Sequence, residues 1–207
     1  MTANKYLRYL QEKIHTTIVA TVDDNGLPVT CAVDMMDCDD ESLYFLTAKG
    51  KSFYDRLKKQ GYISLTALKG ENTMSSLAIS VRGNVRELGN KLVSNLFIKN
   101  SYMNEIYPTV ESRQALTVFQ IYQGTGEWFD LSKKPIERLS FTFGGSKEIQ
   151  DGYFITDKCI HCKICCSICP QKCIDTNVKP AIIKQENCIR CGNCFEICLV
   201  RAIEKRG

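Results

Sequence analysis

The sequence lacks a long apolar run. None of its 207 residues lies in a stretch that approaches the roughly 18 apolar residues of a membrane-spanning helix. The opening segment MTANKYLRYLQEKIHTTIVA also lacks the basic leader, apolar core and small-residue cleavage site of a signal peptide. We therefore expect a cytoplasmic protein without membrane association, in which thiols stay reduced and disulfides do not form.

An excess of one charge is also missing. The chain has 27 basic and 23 acidic side chains, and neither half forms a strongly basic block. This balance gives no support to nucleic acid or a membrane surface as a partner. Hydrophobic residues make up 44% and charged residues 24%, values close to the globular average, so the composition excludes a disordered chain.

Cysteine is abundant, but only in one part of the chain. Ten of the twelve cysteines follow Asp151, and they occur in two copies of one pattern that start 29 residues apart, at Cys159 and Cys188. Each copy has the spacing C-x2-C-x2-C-x3-C, and a proline follows the first copy at Pro170. The repeat indicates a duplicated unit.

This spacing is that of bacterial ferredoxins with two clusters. Three thiolates on a tight loop bind three irons of one cluster, and the fourth cysteine, at the start of a short helix, closes the opposite cluster. We predict that one [4Fe-4S] cluster is held by Cys159, Cys162, Cys165 and Cys198, and the other by Cys188, Cys191, Cys194 and Cys169. Structural zinc prefers two separated ligand pairs and fits this pattern poorly.

Two further cysteines lie in this region. Cys166 and Cys173 align with Phe195 and Ala202 of the second copy, so both are interpreted as packing positions. His161 aligns with Arg190 and is predicted to be a surface residue beside a cluster. The region from about 153 to 207 resembles two-[4Fe-4S] ferredoxins, and it departs from them at Leu199, where the family motif often has proline.

The N-terminal part is rich in predicted strands. An opening helix is marked by Tyr6, Leu7, Leu10 and Ile14, and a hairpin turn is predicted at Asp23-Asp24-Asn25-Gly26. Helices are predicted at 52–60 and 91–99. Many strands without β-α-β alternation predict a closed or partly open barrel. Strands are predicted at 16–22, 29–35, 43–47, 62–68, 77–88, 116–123 and 126–131.

A basic turn connects a strand to a helix at Thr47-Ala48-Lys49-Gly50-Lys51-Ser52. Free N–H groups at the start of a helix, a glycine and two lysines form an anion pocket suited to a phosphate. Ser52 and Asp55 have the spacing of a capping box. A capped surface helix with solvated lysines explains the same residues, and the pattern alone does not decide between the two.

A resemblance to a known family favours phosphate binding at this turn. The segments GLPVTCAVDMM, LYFLTAKGKSFYDRLKK, ISLTAL and ISVRGNVREL are similar to the pyridoxamine 5′-phosphate oxidase superfamily over residues 1–145. The resemblance implies a six-stranded split barrel, a homodimer, and FMN held at the subunit interface. It assigns the flavin phosphate and ring edge to Thr47, Lys49, Lys51 and Ser52. It places an aromatic residue near the flavin, which matches Tyr122 or Trp128.

The sequence also departs from that superfamily. Where the vitamin B6 oxidases carry a flavin-contacting Arg and Lys on the second strand, this chain has Cys31 and Met36, so vitamin B6 oxidase activity is not expected. Some relatives bind a deazaflavin or haem in the same barrel, and the identity of the cofactor stays open at this point. Cys31 and Cys38 are interpreted as strand or turn residues, and His15, Tyr122 and Trp128 as packing residues.

Together these patterns predict a mainly β protein with an α+β satellite: an FMN-binding split barrel at 1–145 and a two-[4Fe-4S] ferredoxin-like domain at 150–207. Fifteen residues separate Phe143 from Cys159, so the two domains are expected to lie close together. The predicted function is an oxidoreductase that passes electrons between a low-potential donor, the clusters, FMN and a substrate.

Two alternatives remain open: an electron-transfer adaptor between proteins, and a haem- or deazaflavin-binding or sensing module. The expected partners are an electron-donor protein or a small-molecule substrate, and a second copy of the chain. The sequence does not identify the substrate, the direction of electron flow, or which subunit's flavin each pair of clusters serves.

Overall fold

Seven strands of the N-terminal part form one sheet in the computed structural model, which describes residues 3–148 and 150–207. The sheet order is β3-β2-β1-β4-β5-β6-β7, and β3 also pairs with β6, so the first six strands close into a barrel. The strands are β1 Thr16–Val22, β2 Pro28–Cys38, β3 Leu43–Ala48, β4 Tyr62–Lys69, β5 Leu77–Gly89, β6 Leu116–Asp130 and β7 Glu137–Phe143.

Short helices accompany the sheet. Helix α1 spans Asn4–Tyr9 and continues as one π-helical segment, Leu10–Ile14. Helix α2 spans Ser52–Gln60, α3 Val93–Lys99 and α4 Met103–Ile106, and 3₁₀ turns occur at Thr73–Ser75 and Ser112–Ala115. The buried face of α2 consists of Phe53 and Leu57. Its apolar residues cover core rings, since Phe45 lies 6.1 Å from Phe53 and 5.7 Å from Phe119 between ring centroids.

The predicted split-barrel fold is confirmed, and β1 and α2 have the predicted bounds. The prediction of two strands at 116–123 and 126–131 is wrong, because β6 runs without interruption from Leu116 to Asp130. Gly124 is the reason: a Cβ there would come within 2.4 Å of the Arg82 carbonyl oxygen. The glycine permits close approach of β5 rather than a break. Strand β7 was missing from the prediction.

The chain forms two compact units. The first comprises residues 1–69, 78–127 and 141–147, and the second comprises 70–77, 128–140 and 148–207. Residues 128–140 group with the cysteine-rich part through hydrogen bonds from Asn187 Nδ2 to the Ile136 carbonyl, at 3.2 Å, and from Arg138 Nη1 to the Ile189 carbonyl, at 3.2 Å. The domain limits 1–145 and 150–207 stay a prediction.

Two copies of one small motif build the cysteine-rich unit. Each copy has two strands and a helix, and the strands pair across the copies: β8 Gly152–Ile155 with β11 Ile203–Arg206, and β9 Ile174–Asp175 with β10 Ile182–Ile183. Helix α5 spans Ile164–Ile168 and α6 spans Asn193–Glu196, and a 3₁₀ turn lies at Gln185–Asn187.

The duplication predicted from the sequence is visible in the backbone. Positive φ angles recur 29 residues apart, at His161 and Arg190 (60° and 57°) and at Lys172 and Arg201 (51° and 49°). Such angles are uncommon in residues other than glycine. Their repetition shows that both copies follow the same path. Among the described residues, no helix has the length and apolar character needed to span a membrane.

Candidate cysteine and anion sites

The first set of predicted cluster ligands lines one recess. Cys159, Cys162, Cys165 and Cys198 surround about 430 Å³ of space, which we call the first recess. Its remaining wall is largely apolar and includes Ile155, Ile164, Ala202 and Ile203. The structure thus brings together three cysteines of the first copy and one of the second.

The second set lines a separate recess. Cys188, Cys191, Cys194 and Cys169 surround about 330 Å³, which we call the second recess. Here three cysteines come from the second copy and one from the first. Among the described residues, no group of three His, Cys, Asp or Glu side chains is arranged for a single metal ion.

The backbone turn after the first cysteine of each copy orients an N–H group. The left-handed conformations of His161 and Arg190 aim their backbone N–H groups at Cys159 Sγ and Cys188 Sγ, both at 3.4 Å. The helix that follows each turn carries the third cysteine of its run, Cys165 or Cys194. A sulfur that accepts such bonds is stabilised as a thiolate.

The thiols of the second recess differ in acidity. The pKa of Cys188 is lowered, first by a hydrogen bond from Cys173, and burial opposes this effect. The Arg190 N–H and the positive charges of Arg190 and Arg138 lower the pKa further. Burial and the neighbouring thiols raise the pKa of Cys194 to about 11. In the first recess, burial raises the pKa of Cys165, and the charges of Cys159 and Cys162 raise it further.

Cys173 also lines the second recess. Its Sγ lies 3.5 Å from Cys169 Sγ, and Cys188 lines the same recess. The packing interpretation accounts for its burial, with 4% of the residue exposed, but not for its place beside two predicted ligands. Cys166, the other cysteine outside the runs, instead points its Sγ at the Ile174 carbonyl oxygen, 3.8 Å away.

The predicted flavin phosphate site lies where β3 ends. Thr47 pairs with Thr117 across β3 and β6, and 4% of Thr47 is exposed. Its Oγ1 is buried and has no hydrogen-bond partner among the described residues. Buried hydroxyls normally have a partner, so this oxygen is open to one that the chain does not supply.

Lys49, Lys51 and Ser52 follow Thr47 and are exposed. The predicted capping box is wrong, because Lys51 is the N-cap residue of α2 and no side chain caps the helix. The first N–H groups of a nine-residue helix are thereby left for another acceptor. An uncapped helix start with two lysines suits a phosphate.

Arg56 on α2 was missed by the sequence reasoning. Its Nε donates to Thr21 Oγ1 at 2.8 Å, and its positive charge, with that of Lys51, acts on Cys31. Burial nevertheless raises the pKa of Cys31. Ser52 and Arg56 are four residues apart on α2, a spacing that places both on one face of the helix. This spacing was the sequence signal that could have identified Arg56. Helix α2 and its N-cap residue thus supply two positive charges near Cys31.

A half-buried hydrogen-bond network lies beside Thr117. Its Oγ1 donates to Glu87 Oε1 at 2.8 Å, and Lys58 Nζ donates to Glu87 Oε2 at 2.9 Å. Burial opposes ionisation of Glu87, but the bonds from Lys58, Thr117 and Tyr54 outweigh it and lower its pKa. Thr117 is therefore satisfied inside the chain, whereas Thr47 opposite is not.

Tyr122 does not join Thr47. Thr47 pairs with Thr117, and Tyr122 lies five residues further along β6, roughly 16 Å away at the usual rise of a strand. Its ring instead contacts Arg86, whose guanidinium carbon lies 4.8 Å from the ring centroid. Trp128 belongs to the other unit and donates its Nε1 proton to Glu137 at 3.1 Å.

His15 has polar partners that its packing interpretation did not include. Its Nε2 lies 2.9 Å from the Tyr102 hydroxyl, which donates to Asp34 Oδ2 at 2.7 Å. Burial, followed by hydrogen bonding to Asp34, raises the pKa of Tyr102. Thr16 and Tyr102 donate to Asp34 and, against the effect of burial, lower its pKa. This set lies on the barrel unit, with His15 and Asp34 each 30% exposed.

Comparison with known proteins gives one family match. The model of the family described as pyridoxamine 5′-phosphate oxidase matches residues 4–129, which is more than half of the chain. The match ends before the cysteine-rich part. No curated protein matches the sequence.

Solved structures share the barrel fold. A Clostridium acetobutylicum protein related to general stress protein 26 is 19% identical, with a TM-score of 0.53 over 67% of this chain and 94% of its own. A nimc/nima family protein of the same organism is 12% identical, with a TM-score of 0.55 over 68% and 93%. A heme binding protein from Mycobacterium smegmatis is 10% identical, with a TM-score of 0.52 over 68% and 58%. At these identities the likeness concerns the fold.

Proposed function

Because this chain belongs to the pyridoxamine 5′-phosphate oxidase family, we propose that it is an FMN- and iron–sulfur-dependent oxidoreductase. It passes electrons between a low-potential donor, two [4Fe-4S] clusters, FMN and a substrate. The observation that carries the proposal is the pairing of a family barrel with two recesses, each lined by one complete set of four cysteines. Clusters exchange electrons singly, and a flavin also handles them in pairs.

The cysteine sets fit [4Fe-4S] clusters in number and chemistry. Such a cluster takes one thiolate for each iron, so it requires four cysteines around a space rather than at a point. The first recess offers four cysteines and the second offers these four plus Cys173. The N–H groups of His161 and Arg190 favour the thiolate forms of Cys159 and Cys188. Apolar side chains around the first recess limit the access of water to it.

The turn after β3 fits the phosphate of FMN. The hydroxyl of Thr47 lacks a partner, the start of α2 is uncapped, and the side chains of Lys49, Lys51 and Ser52 are exposed. A doubly charged phosphate gains charge-assisted hydrogen bonds from such groups. Arg56 adds a further positive charge on the same helix. These residues bind and orient the flavin.

We further propose that two copies of the chain form the complete flavin site. This proposal rests on the family resemblance, which implies a homodimer with FMN at the subunit interface. In such a homodimer, the partner subunit supplies the second wall of the flavin site. The electron donor is proposed to be another protein, and the substrate a small molecule.

Cofactor analysis of the full chain, purified without oxygen, tests the proposal. We expect FMN in the extract, and about eight iron and eight acid-labile sulfide per chain, as two four-iron clusters require. The visible spectrum distinguishes flavin, haem and iron–sulfur bands. Zinc in place of iron would contradict the cluster assignment. A haem band without flavin would contradict the FMN assignment and favour the binding reported in the name of the M. smegmatis relative.

A further inference from the structure

Cys173 lies outside both cysteine runs, yet it lines the second recess with the four predicted ligands, and its thiol contacts one of them. Its Sγ is 3.5 Å from Cys169 Sγ. It is buried, with 4% exposed, so water does not compete for this contact. The thiol therefore has a defined position beside the place proposed for one cluster.

The duplication supplies an internal reference. The residue that corresponds to Cys173 in the other copy is Ala202, which lines the first recess. Its methyl group has no proton to donate, although its backbone N–H donates to Cys198 Sγ at 3.2 Å. The two recesses thus differ by one side-chain donor at equivalent positions.

The chemistry of the ligands fixes the direction of the hydrogen bond between Cys173 and Cys169. Cysteines bind iron as thiolates, which accept but do not donate. Cys173 is not one of the four ligands, so its S–H is the donor. Reduction adds one negative charge to a cluster, and donors to its sulfurs stabilise that added charge.

Resting on the proposed iron–sulfur function, we infer that Cys173 raises the reduction potential of the cluster held by Cys169, Cys188, Cys191 and Cys194. Cys173 acts through the ligands rather than as one of them. This cluster consequently accepts an electron before its sister in the first recess.

Positive charge acts in the same direction. Two arginines lie beside the second recess: the Arg190 backbone N–H donates to Cys188 Sγ at 3.4 Å, and Arg138 Nη1 donates to the Ile189 carbonyl at 3.2 Å. The position equivalent to Arg190 in the other copy is His161. Because these arginines stay in place when Cys173 is replaced, the contribution of the thiol is separable from theirs.

A redox titration of the full chain, followed by electron paramagnetic resonance, tests the inference. In Cys173→Ala we expect one of two potentials to become more negative, by about tenfold in the reduction equilibrium, which is about 59 mV for one electron. The other potential should not move. Cys173→Ser keeps a donor and should restore most of the shift. Cys166→Ala, whose sulfur faces a carbonyl instead, is the matched control.

The reciprocal variant identifies the clusters. Ala202→Cys introduces a thiol beside Cys198 and should raise the potential that Cys173→Ala leaves unchanged. Unaltered potentials in Cys173→Ala, with about eight irons retained, would overturn the inference while the proposed function stands. Loss of four irons in Cys173→Ala would identify Cys173 as a ligand and also overturn it. Absence of clusters from the unmodified chain would overturn both.

Discussion

Thr47 and Thr117 face each other across β3 and β6, and they provide a comparison within one pair. The Thr117 hydroxyl donates to Glu87 at 2.8 Å, whereas the Thr47 hydroxyl has no partner among the described residues. We expect Thr47→Val to leave thermal stability of the flavin-free chain unchanged and to weaken FMN binding by about tenfold, since one hydrogen bond to a charged group is lost.

Thr117→Val is the matched control. It should cost about 1 kcal/mol of stability, because it removes the Thr117 donor from the half-buried Glu87 network. Thermal unfolding and flavin titration measure the two effects. A stability loss in Thr47→Val as large as that in Thr117→Val would show that the Thr47 hydroxyl serves the fold instead.

A charge reversal at Lys51 tests the assignment of the flavin phosphate to the turn after β3. It is the N-cap residue of α2 and its side chain is exposed, so Lys51→Glu should fold. We expect FMN affinity to fall more than tenfold, or more than about 1.4 kcal/mol, because repulsion replaces attraction next to the phosphate. Lys91→Glu, on an exposed turn, makes the same charge change elsewhere in the unit. Equal affinities of the two variants, measured by fluorescence titration, would refute the assignment.

The sequence predicted the basic turn because its residues are neighbours in the chain. It did not predict that Thr47 Oγ1 lacks a partner or that Arg56 approaches Cys31, since both depend on how α2 packs against the barrel. Nor did it separate Tyr122 from Thr47, which required the register of β3 and β6.

At the scale of elements, the exchange of cysteines between the two copies gives a specific prediction. Cys169 follows α5 of the first copy but lines the second recess. We expect Cys169→Ser to remove the cluster of Cys188, Cys191 and Cys194 and to lower the iron content from about eight to about four. Cys166→Ala, three residues earlier, should keep both clusters. Survival of the second cluster in Cys169→Ser would contradict the exchange.

Elements with a strong local signal were predicted well. The alternation in Thr16–Val22 and the turn at Asp23 to Gly26 gave β1 and its hairpin, in which Asp23 Oδ1 accepts from the N–H groups of Asn25 and Leu27. Strand β7 was missed although Leu139, Phe141 and Phe143 alternate along it and its partner is the preceding strand, β6. The start of α2 was predicted correctly, but its capping box was not, because Ser52 precedes Asp55 at a capping distance and is itself helical.

For the whole molecule, the central prediction concerns electron flow. If the clusters feed the flavin, rapid mixing with a reduced donor protein should show cluster reduction first and flavin reduction afterwards. We expect a variant with serine at all eight predicted ligands to reduce its flavin at least tenfold more slowly with that donor, because its route through the clusters is gone. Dithionite, a small reductant, serves as control and should reduce both flavins. Equal rates with the donor protein would favour two tethered but independent units.

The sequence does not predict that distant segments group together. The rise in cysteine content predicts a domain boundary near residue 150, which stays a prediction, and the structure groups residues 70–77 and 128–140 with the cysteine-rich unit. That grouping depends on contacts such as Arg138 to the Ile189 carbonyl, between residues 51 positions apart. No local pattern announces such a contact.

The pairing of strands across the two copies has a consequence for biogenesis. Since β8 pairs with β11 and each recess takes its fourth cysteine from the other copy, neither recess is complete while the second copy is still unsynthesised. Insertion of the proposed iron–sulfur clusters would therefore follow translation of both copies. Proteolysis between Cys173 and Cys188 would cut the chain between the predicted ligands of both sets, so both proposed clusters would be affected together.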